Sequence, residues 1–171
     1  MKMLSNIFKL PLLTLCPLLM NAQQNVKLIT LDPGHFHAAL VQKTMYPQVD
    51  PNVYVYAEKG NDLQLHLDRI KGYNTRADQP TKWNEVVYEG KDFFQKMISE
   101  RKGNVVVLAG NNKLKTSYIL NAVQNGFHVF ADKPMVINKE GFDQLKKAFD
   151  ISQQKRSEEH TSELKSRVDI S

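Results

Sequence analysis

Two short apolar segments constrain the fold more than any other feature: residues 26–31 are VKLITL and residues 104–109 are NVVVLA. Each is rich in branched apolar residues and shows little alternation with polar ones. Strands that are buried on both faces have this composition, and they belong to parallel sheets with helices on both sides. The two segments therefore predict an α/β protein with a parallel sheet at its centre.

Strand-like and helix-like segments alternate along the chain, which predicts βαβ units. The predicted strands are residues 26–31, 53–57, 85–88, 104–109 and 127–131. The predicted helices are residues 38–45, 62–71, 92–101, 114–125 and 139–154. Gly126 follows the fourth of these helices and is predicted to cap it. The predicted fold class is α/β, with a doubly wound, mostly parallel sheet.

The first 22 residues have the features of a secretory signal peptide. Lys2 and Lys9 are its positive charges, residues 10–20 are mostly apolar, and Ala22 suits cleavage. The apolar segment is shorter than the ~20 residues that span a bilayer, so no stable membrane anchor is expected. No Arg-Arg pair precedes the segment, which indicates a Sec-type signal and export to the periplasm. Cleavage would also remove the one cysteine, leaving no disulfide.

The last residues, 156–171, resemble a translated sequencing adapter. One frame of a common adapter encodes RSEEHTSELQS, and this chain departs from it within that stretch only at Lys165. The segment has no apolar periodicity, so we predict an artefactual, disordered tail. Residues 23–155 remain as the folded domain. Its lysines are scattered and the whole chain has a formal net charge of only +5, which does not indicate nucleic-acid binding.

The segment LDPGHFHAAL, residues 31–40, joins the first predicted strand to the first predicted helix. In doubly wound folds this turn faces a bound nucleotide and usually carries the pattern G-x-G-x-x-G. Here only Gly34 matches, because Asp32 and His37 replace the first and third glycines. A carboxylate at position 32 disfavours a pyrophosphate unless it turns away. Contacts to the cofactor are predicted for Pro33, Gly34, His35, Phe36 and His37.

The same turn contains two histidines in close succession, His35 and His37. They could share a metal ion only with a third ligand. The spacing of His66 and His128 brings neither of them to the turn, so the sequence predicts no metal site. The two histidines are then either structural residues of the turn or groups that touch a ligand in the crevice.

Three short motifs in the second half of the chain resemble those of the Gfo/Idh/MocA oxidoreductases. Residues 109–112 are AGNN, residues 125–129 are NGFHV and residues 132–134 are DKP. Their order and spacing are similar to the family patterns A-T-P-N-x-x-H, A-G-x-H-V and E-K-P. The resemblance extends over residues 26–154. It implies that residues 23–155 form a Rossmann-like nucleotide-binding domain that uses NAD or NADP.

The resemblance also implies roles for individual residues. Lys133 takes the place of the family lysine near the nicotinamide and the substrate hydroxyl, as a proton-transfer or positioning group. Glu58, 24 residues after Gly34, is placed to meet the adenosine ribose. Further cofactor contacts are expected from Ala109, Gly110, Asn111, Asn112, Asp132 and Pro134. Lys115 stands where the family has a histidine, and we predict that it is solvated on a helix surface.

Family members carry a second domain with substrate residues and oligomer contacts, and this domain is expected to be missing here. The leading hypothesis is a secreted oxidoreductase that acts on a sugar or polyol, with a homo-oligomeric parent protein and a fragment that does not turn over. One alternative is a lyase or glycoside-cleaving relative that keeps and regenerates its cofactor. Another is a non-enzymatic domain that binds carbohydrate or a partner protein. Fold analogy alone does not choose among them.

Overall fold

The computed structural model describes residues 26–168, in which five parallel strands form one sheet with helices on both faces. The strands are β1 (Leu28–Leu31), β2 (Asn52–Ala57), β3 (Asn84–Glu89), β4 (Val105–Leu108) and β5 (His128–Ala131). The helices are α1 (His37–Leu40), α2 (Asn61–Thr75), α3 (Phe93–Glu100), α4 (Asn112–Gln124) and α5 (Lys139–Val168). The strand order is β3-β2-β1-β4-β5, which confirms the predicted doubly wound α/β class. The predicted signal peptide lies outside the described residues.

Both faces of the sheet are buried, as the apolar segments predict. In β4, Val106 packs into a cluster with α3, α4 and α5, whereas its neighbour Val107 packs into a cluster on the opposite face. Ala38 of α1 and Ile70 of α2 belong to that second cluster. Because successive strand residues point to opposite faces, a strand covered on both sides must be apolar throughout.

The first helix is shorter than predicted: α1 ends at Leu40 rather than near residue 45. Beyond it, the amides of Gln42 and Lys43 bond to carbonyls only three residues earlier, which is a tightened turn. The carbonyl of Gln42 accepts the indole N–H of Trp83 at 2.6 Å. This bond to a distant residue takes the carbonyl that a continuing helix would use.

The end of α4 follows its prediction. Gly126 has a φ of +82°, in the left-handed region where a side chain is disfavoured. The amide of Gly126 donates to the Val123 carbonyl, and the amide of Phe127 donates to the Ala122 carbonyl, both at 3.0 Å. These two bonds form a Schellman motif, so the predicted capping role of Gly126 is confirmed.

The last helix is longer than predicted. We expected it to end at residue 154 and a disordered tail to begin at 156, but α5 continues to Val168. Residues 155–168 contain no glycine or proline and several glutamates, lysines and arginines. These residues favour a helix even without an apolar face. The adapter origin of the segment stays a prediction. Within residues 26–168, no helix combines the length and apolar content needed to cross a bilayer.

The packing of α2 on the sheet yields a first prediction. Ile70 is 1% exposed, whereas Leu65 of the same helix is 41% exposed. Ile70→Ala should lower the free energy of unfolding by about 2 to 5 kcal/mol, because it removes buried methyl groups and leaves a cavity. Leu65→Ala, the matched control, should change it by less than about 0.5 kcal/mol. Urea denaturation measures both, and equal losses would contradict the assigned orientation of α2.

Candidate functional site

A cavity of about 770 Å³ opens at the carboxyl ends of the strands. Its walls come from residues within four segments: 32–37 after β1, 58–62 after β2, 110–118 at the start of α4, and 132–133 after β5. Phe93 of α3 completes the lining. The strand order reverses between β1 and β4, and doubly wound proteins bind their ligands at that switch point.

The turns that follow β1 and β4 pack against each other backbone to backbone. A Cβ atom at Gly110 would lie 1.9 Å from the carbonyl oxygen of Asp32, and one at Gly34 would lie 3.3 Å from the Cα of Gly110. Asp32 itself has a φ of +48°, which aspartate tolerates better than most residues. Only a glycine at position 110 allows this approach.

The carboxylate of Asp32 is partly withdrawn from solvent at the cavity wall. Burial raises its pKa, as do the negative charges of Asp62 and Glu58, while a hydrogen bond from the backbone N–H of Asn111 opposes the rise. The carboxylate therefore turns toward the β4–α4 connection. The turn that is predicted to contact the cofactor thus keeps its acidic side chain engaged with a backbone amide.

The structure brings most of the predicted site residues to the cavity. Those that line it are Gly34, His35, His37, Glu58, Gly110, Asn111, Asn112, Asp132 and Lys133. Four others lie outside its lining: Pro33 and Ala109 are buried, whereas Phe36 and Pro134 are exposed. Lys133 is an exposed residue of the lining, and its peptide bond to Pro134 is cis.

Two histidines from the first turn converge on one carboxylate oxygen of Asp132, the residue that follows β5. The Nδ1 atom of His37 lies 2.8 Å from Oδ2 of Asp132, and the Nδ1 atom of His35 lies 3.6 Å from the same oxygen. Burial alone would raise the pKa of Asp132, but the hydrogen bond and charge of His37, the Lys133 amide and Lys115 hold it below its usual value. Asp132 is a third potential metal ligand, which the spacing of the histidines could not reveal.

Lys115 is buried, which corrects the prediction that it is solvated. Its side chain is 2% exposed, and Nζ donates to the backbone carbonyl of Asp132 at 3.2 Å. Burial lowers the pKa of this amine, although the charge of Asp132 opposes the shift. Lys115 is buried because it lies on the face of α4 that packs toward β5. The family motif, which has a histidine at this position, was a signal of an inward-facing residue.

Tyr118 is a site residue that the sequence did not single out. It lies three residues after Lys115 and therefore on the same face of α4, and it lines the cavity. Burial, followed by the negative charges of Asp32 and Glu58, raises the pKa of its hydroxyl to about 12. The hydroxyl is thus a hydrogen-bond donor at neutral pH. Helical spacing from the motif was the available signal for it.

The chain is similar to known proteins both in sequence and in structure. The model of an oxidoreductase family with an NAD-binding Rossmann fold, GFO_IDH_MocA, matches residues 54–160. The chain is also similar to the crystal structure of a candidate oxidoreductase from Parabacteroides merdae ATCC 43184, with a TM-score of 0.77 and 57% sequence identity. That match covers 79% of this chain but 31% of the solved one. No protein with a curated description matches the chain significantly.

The contact between the two turns yields a second prediction. Gly110→Ala should lower the free energy of unfolding by about 1 to 3 kcal/mol or more, because the new methyl group would overlap a backbone carbonyl that cannot rotate away. Gly72→Ala is the matched control, since nothing lies within 4 Å of a Cβ at that helical position. It should leave stability unchanged or raise it. If urea denaturation ranks the two variants in the opposite order, the turns do not pack as described.

Proposed function

The chain belongs to the Gfo/Idh/MocA oxidoreductase family, which has an NAD-binding Rossmann fold, and on this premise we propose that it is the cofactor-binding part of an NAD(P)-dependent oxidoreductase that acts on a sugar or polyol. The observation that carries the proposal is the cavity at the switch point between β1 and β4. Because the chain spans only 31% of the solved relative, substrate contacts beyond this domain are expected from the rest of a longer protein.

The residues around the cavity fit a dinucleotide at its two ends better than in its middle. A volume of about 770 Å³ lies in the ~300–1,000 Å³ range of small-molecule sites. Glu58 follows β2 directly, where an acidic residue suits the hydroxyls of an adenosine ribose. The lining includes four carboxylates, of Asp32, Glu58, Asp62 and Asp132, against two lysines. This balance favours hydroxyl-rich groups over a pyrophosphate.

Hydrogen-bonding side chains supply the remaining contacts. Asn111 and Asn112 start α4 at the cavity wall, where their amides can bond polar groups of the cofactor. Bound NAD(P) would supply a hydride acceptor or donor. Lys133 is an exposed residue of the cavity lining, and it would hold or move a proton at the substrate hydroxyl. Buried Lys115 holds the backbone of Asp132 in place through a hydrogen bond to its carbonyl.

A second candidate function is a binding domain that has lost the cofactor. The observation in its favour is the first turn, where a carboxylate replaces a glycine and α1 is only four residues long. A single helical turn gives little of the dipole that attracts a phosphate. A lyase would use the same cofactor as the oxidoreductase. It would differ in keeping its cofactor tightly bound during purification and in causing no net reduction of added NAD.

The placement of the adenosine ribose yields a third prediction. The 171-residue chain should bind NADH or NADPH saturably, and Glu58→Ala should weaken the binding of NADH roughly 10- to 100-fold, because hydrogen bonds from its ribose hydroxyls to a charged acceptor are lost. Glu89→Ala is the matched control. Glu89 is also an exposed glutamate at the carboxyl end of a strand, but it lies outside the cavity lining. Titrations followed by nicotinamide fluorescence measure the dissociation constant for the unchanged chain and for both variants.

Two outcomes of this titration would count against the proposal in different ways. If neither dinucleotide binds the unchanged chain, the cofactor assignment is wrong and the binding-domain function takes its place. If the dinucleotide binds but both glutamate substitutions weaken its binding equally, the cofactor does not place its ribose at Glu58.

A further inference from the structure

One cluster of side chains in the cavity has a geometry that contacts to a dinucleotide do not require. His35, His37 and Asp132 each offer a potential ligand atom, and these atoms lie within 4.8 Å of one another. Among the side chains that the structure describes, those of residues 26–156, this is the one group of three histidine, cysteine or acidic side chains with such a geometry. Its members come from the turn after β1 and from the residue directly after β5.

The distances in the cluster suit a small transition-metal ion. Zinc binds histidine nitrogen and carboxylate oxygen at about 2.0–2.2 Å, so its ligand atoms lie roughly 3.3 Å apart in a tetrahedral site. The two nitrogen–oxygen distances here, 2.8 Å and 3.6 Å, lie on either side of that value. An ordinary hydrogen bond explains the approach of His37 to Asp132. It does not explain why His35 directs Nδ1 at the same oxygen.

The cavity that holds the cluster is acidic overall and leaves room for a further ligand. The cavity lining carries four carboxylates and two lysines. The side chains of His35 and His37 are 48% and 38% exposed, whereas that of Asp132 is 18% exposed. Two of the three ligands therefore face open space, as in metal sites that keep a coordination position free for water or substrate.

Asp132 is also held in place from its own strand end. Its carboxylate accepts a hydrogen bond from the backbone N–H of Lys133, and its carbonyl accepts one from Nζ of Lys115. Outer hydrogen bonds of this kind orient metal ligands and are part of built metal sites. The carboxylate is therefore fixed, and only the two histidine rings need small rotations to enclose an ion.

We propose that His35, His37 and Asp132 form a binding site for one divalent transition-metal cation of the zinc class, with an open coordination position that faces the cavity. Two histidines and one carboxylate are ligands that suit Zn²⁺, Co²⁺ and Fe²⁺. The same three residues are predicted contacts of the cofactor, but the metal site does not depend on bound cofactor, because its ligands are all side chains of this chain.

The test is a titration of the chelator-treated chain with Zn²⁺ in competition with a chromophoric chelator, in the absence of nucleotide. One equivalent should bind. His35→Gln and Asp132→Asn should each weaken binding by at least ~100-fold, since loss of even an outer partner of a metal ligand costs about 10- to 100-fold. His128→Gln, which removes an exposed histidine of β5, and Cys16→Ser, which removes the one thiol, should leave the affinity unchanged.

A second measurement keeps the proposal testable if a variant folds poorly. Co²⁺ bound by nitrogen and oxygen ligands at low coordination number should give visible absorption in the unchanged chain, and His35→Gln should abolish it. His35 is exposed, so this variant should keep the urea midpoint of the metal-free chain. The proposal is overturned if Zn²⁺ affinity is equal in all the proteins, or if no equivalent of Zn²⁺ or Co²⁺ binds.

Discussion

The contact between the Asp32 carbonyl and Gly110 is the constraint on which the site depends. β1 and β4 pair in parallel with Leu31 opposite Leu108, so the turns after these strands leave the sheet side by side. They can pack together only because position 110 has no side chain. Gly34, Gly110 and the two histidines of the first turn all line the cavity beside this contact. The position of these groups at the switch point therefore depends on backbone packing.

Much of the fold was predictable because its causes are local. Strands covered on both faces must be apolar throughout, and residues 26–31 and 104–109 are. Gly126 was predictable as a cap because a left-handed residue after a helix favours glycine. Among the predicted site residues, Glu58 and Asn111 line the cavity because they follow strands, and the carboxyl ends of parallel strands meet at one edge.

The features that the sequence did not predict depend on contacts between distant residues. The early end of α1 involves a hydrogen bond from Trp83, 41 residues further along the chain. The convergence of His37 and Asp132 joins residues 95 positions apart, so histidine spacing could not reveal a third ligand. Lys115 was misassigned because its burial depends on which face of α4 packs toward β5. Residues 155–168 continue α5 because their residue types favour a helix. They lack the apolar periodicity from which the helices were predicted.

The central claim is that a nicotinamide dinucleotide binds at the switch point between β1 and β4, and amide chemical-shift mapping tests it most directly. At 19.6 kDa, the uniformly ¹⁵N-labelled chain suits two-dimensional NMR during a titration with NAD⁺. The largest shifts are predicted within residues 32–37, 58–62, 110–115 and 132–133, which contribute to the cavity wall. Shifts concentrated on β3 or on α5 instead, or none at saturating cofactor, would contradict the claim.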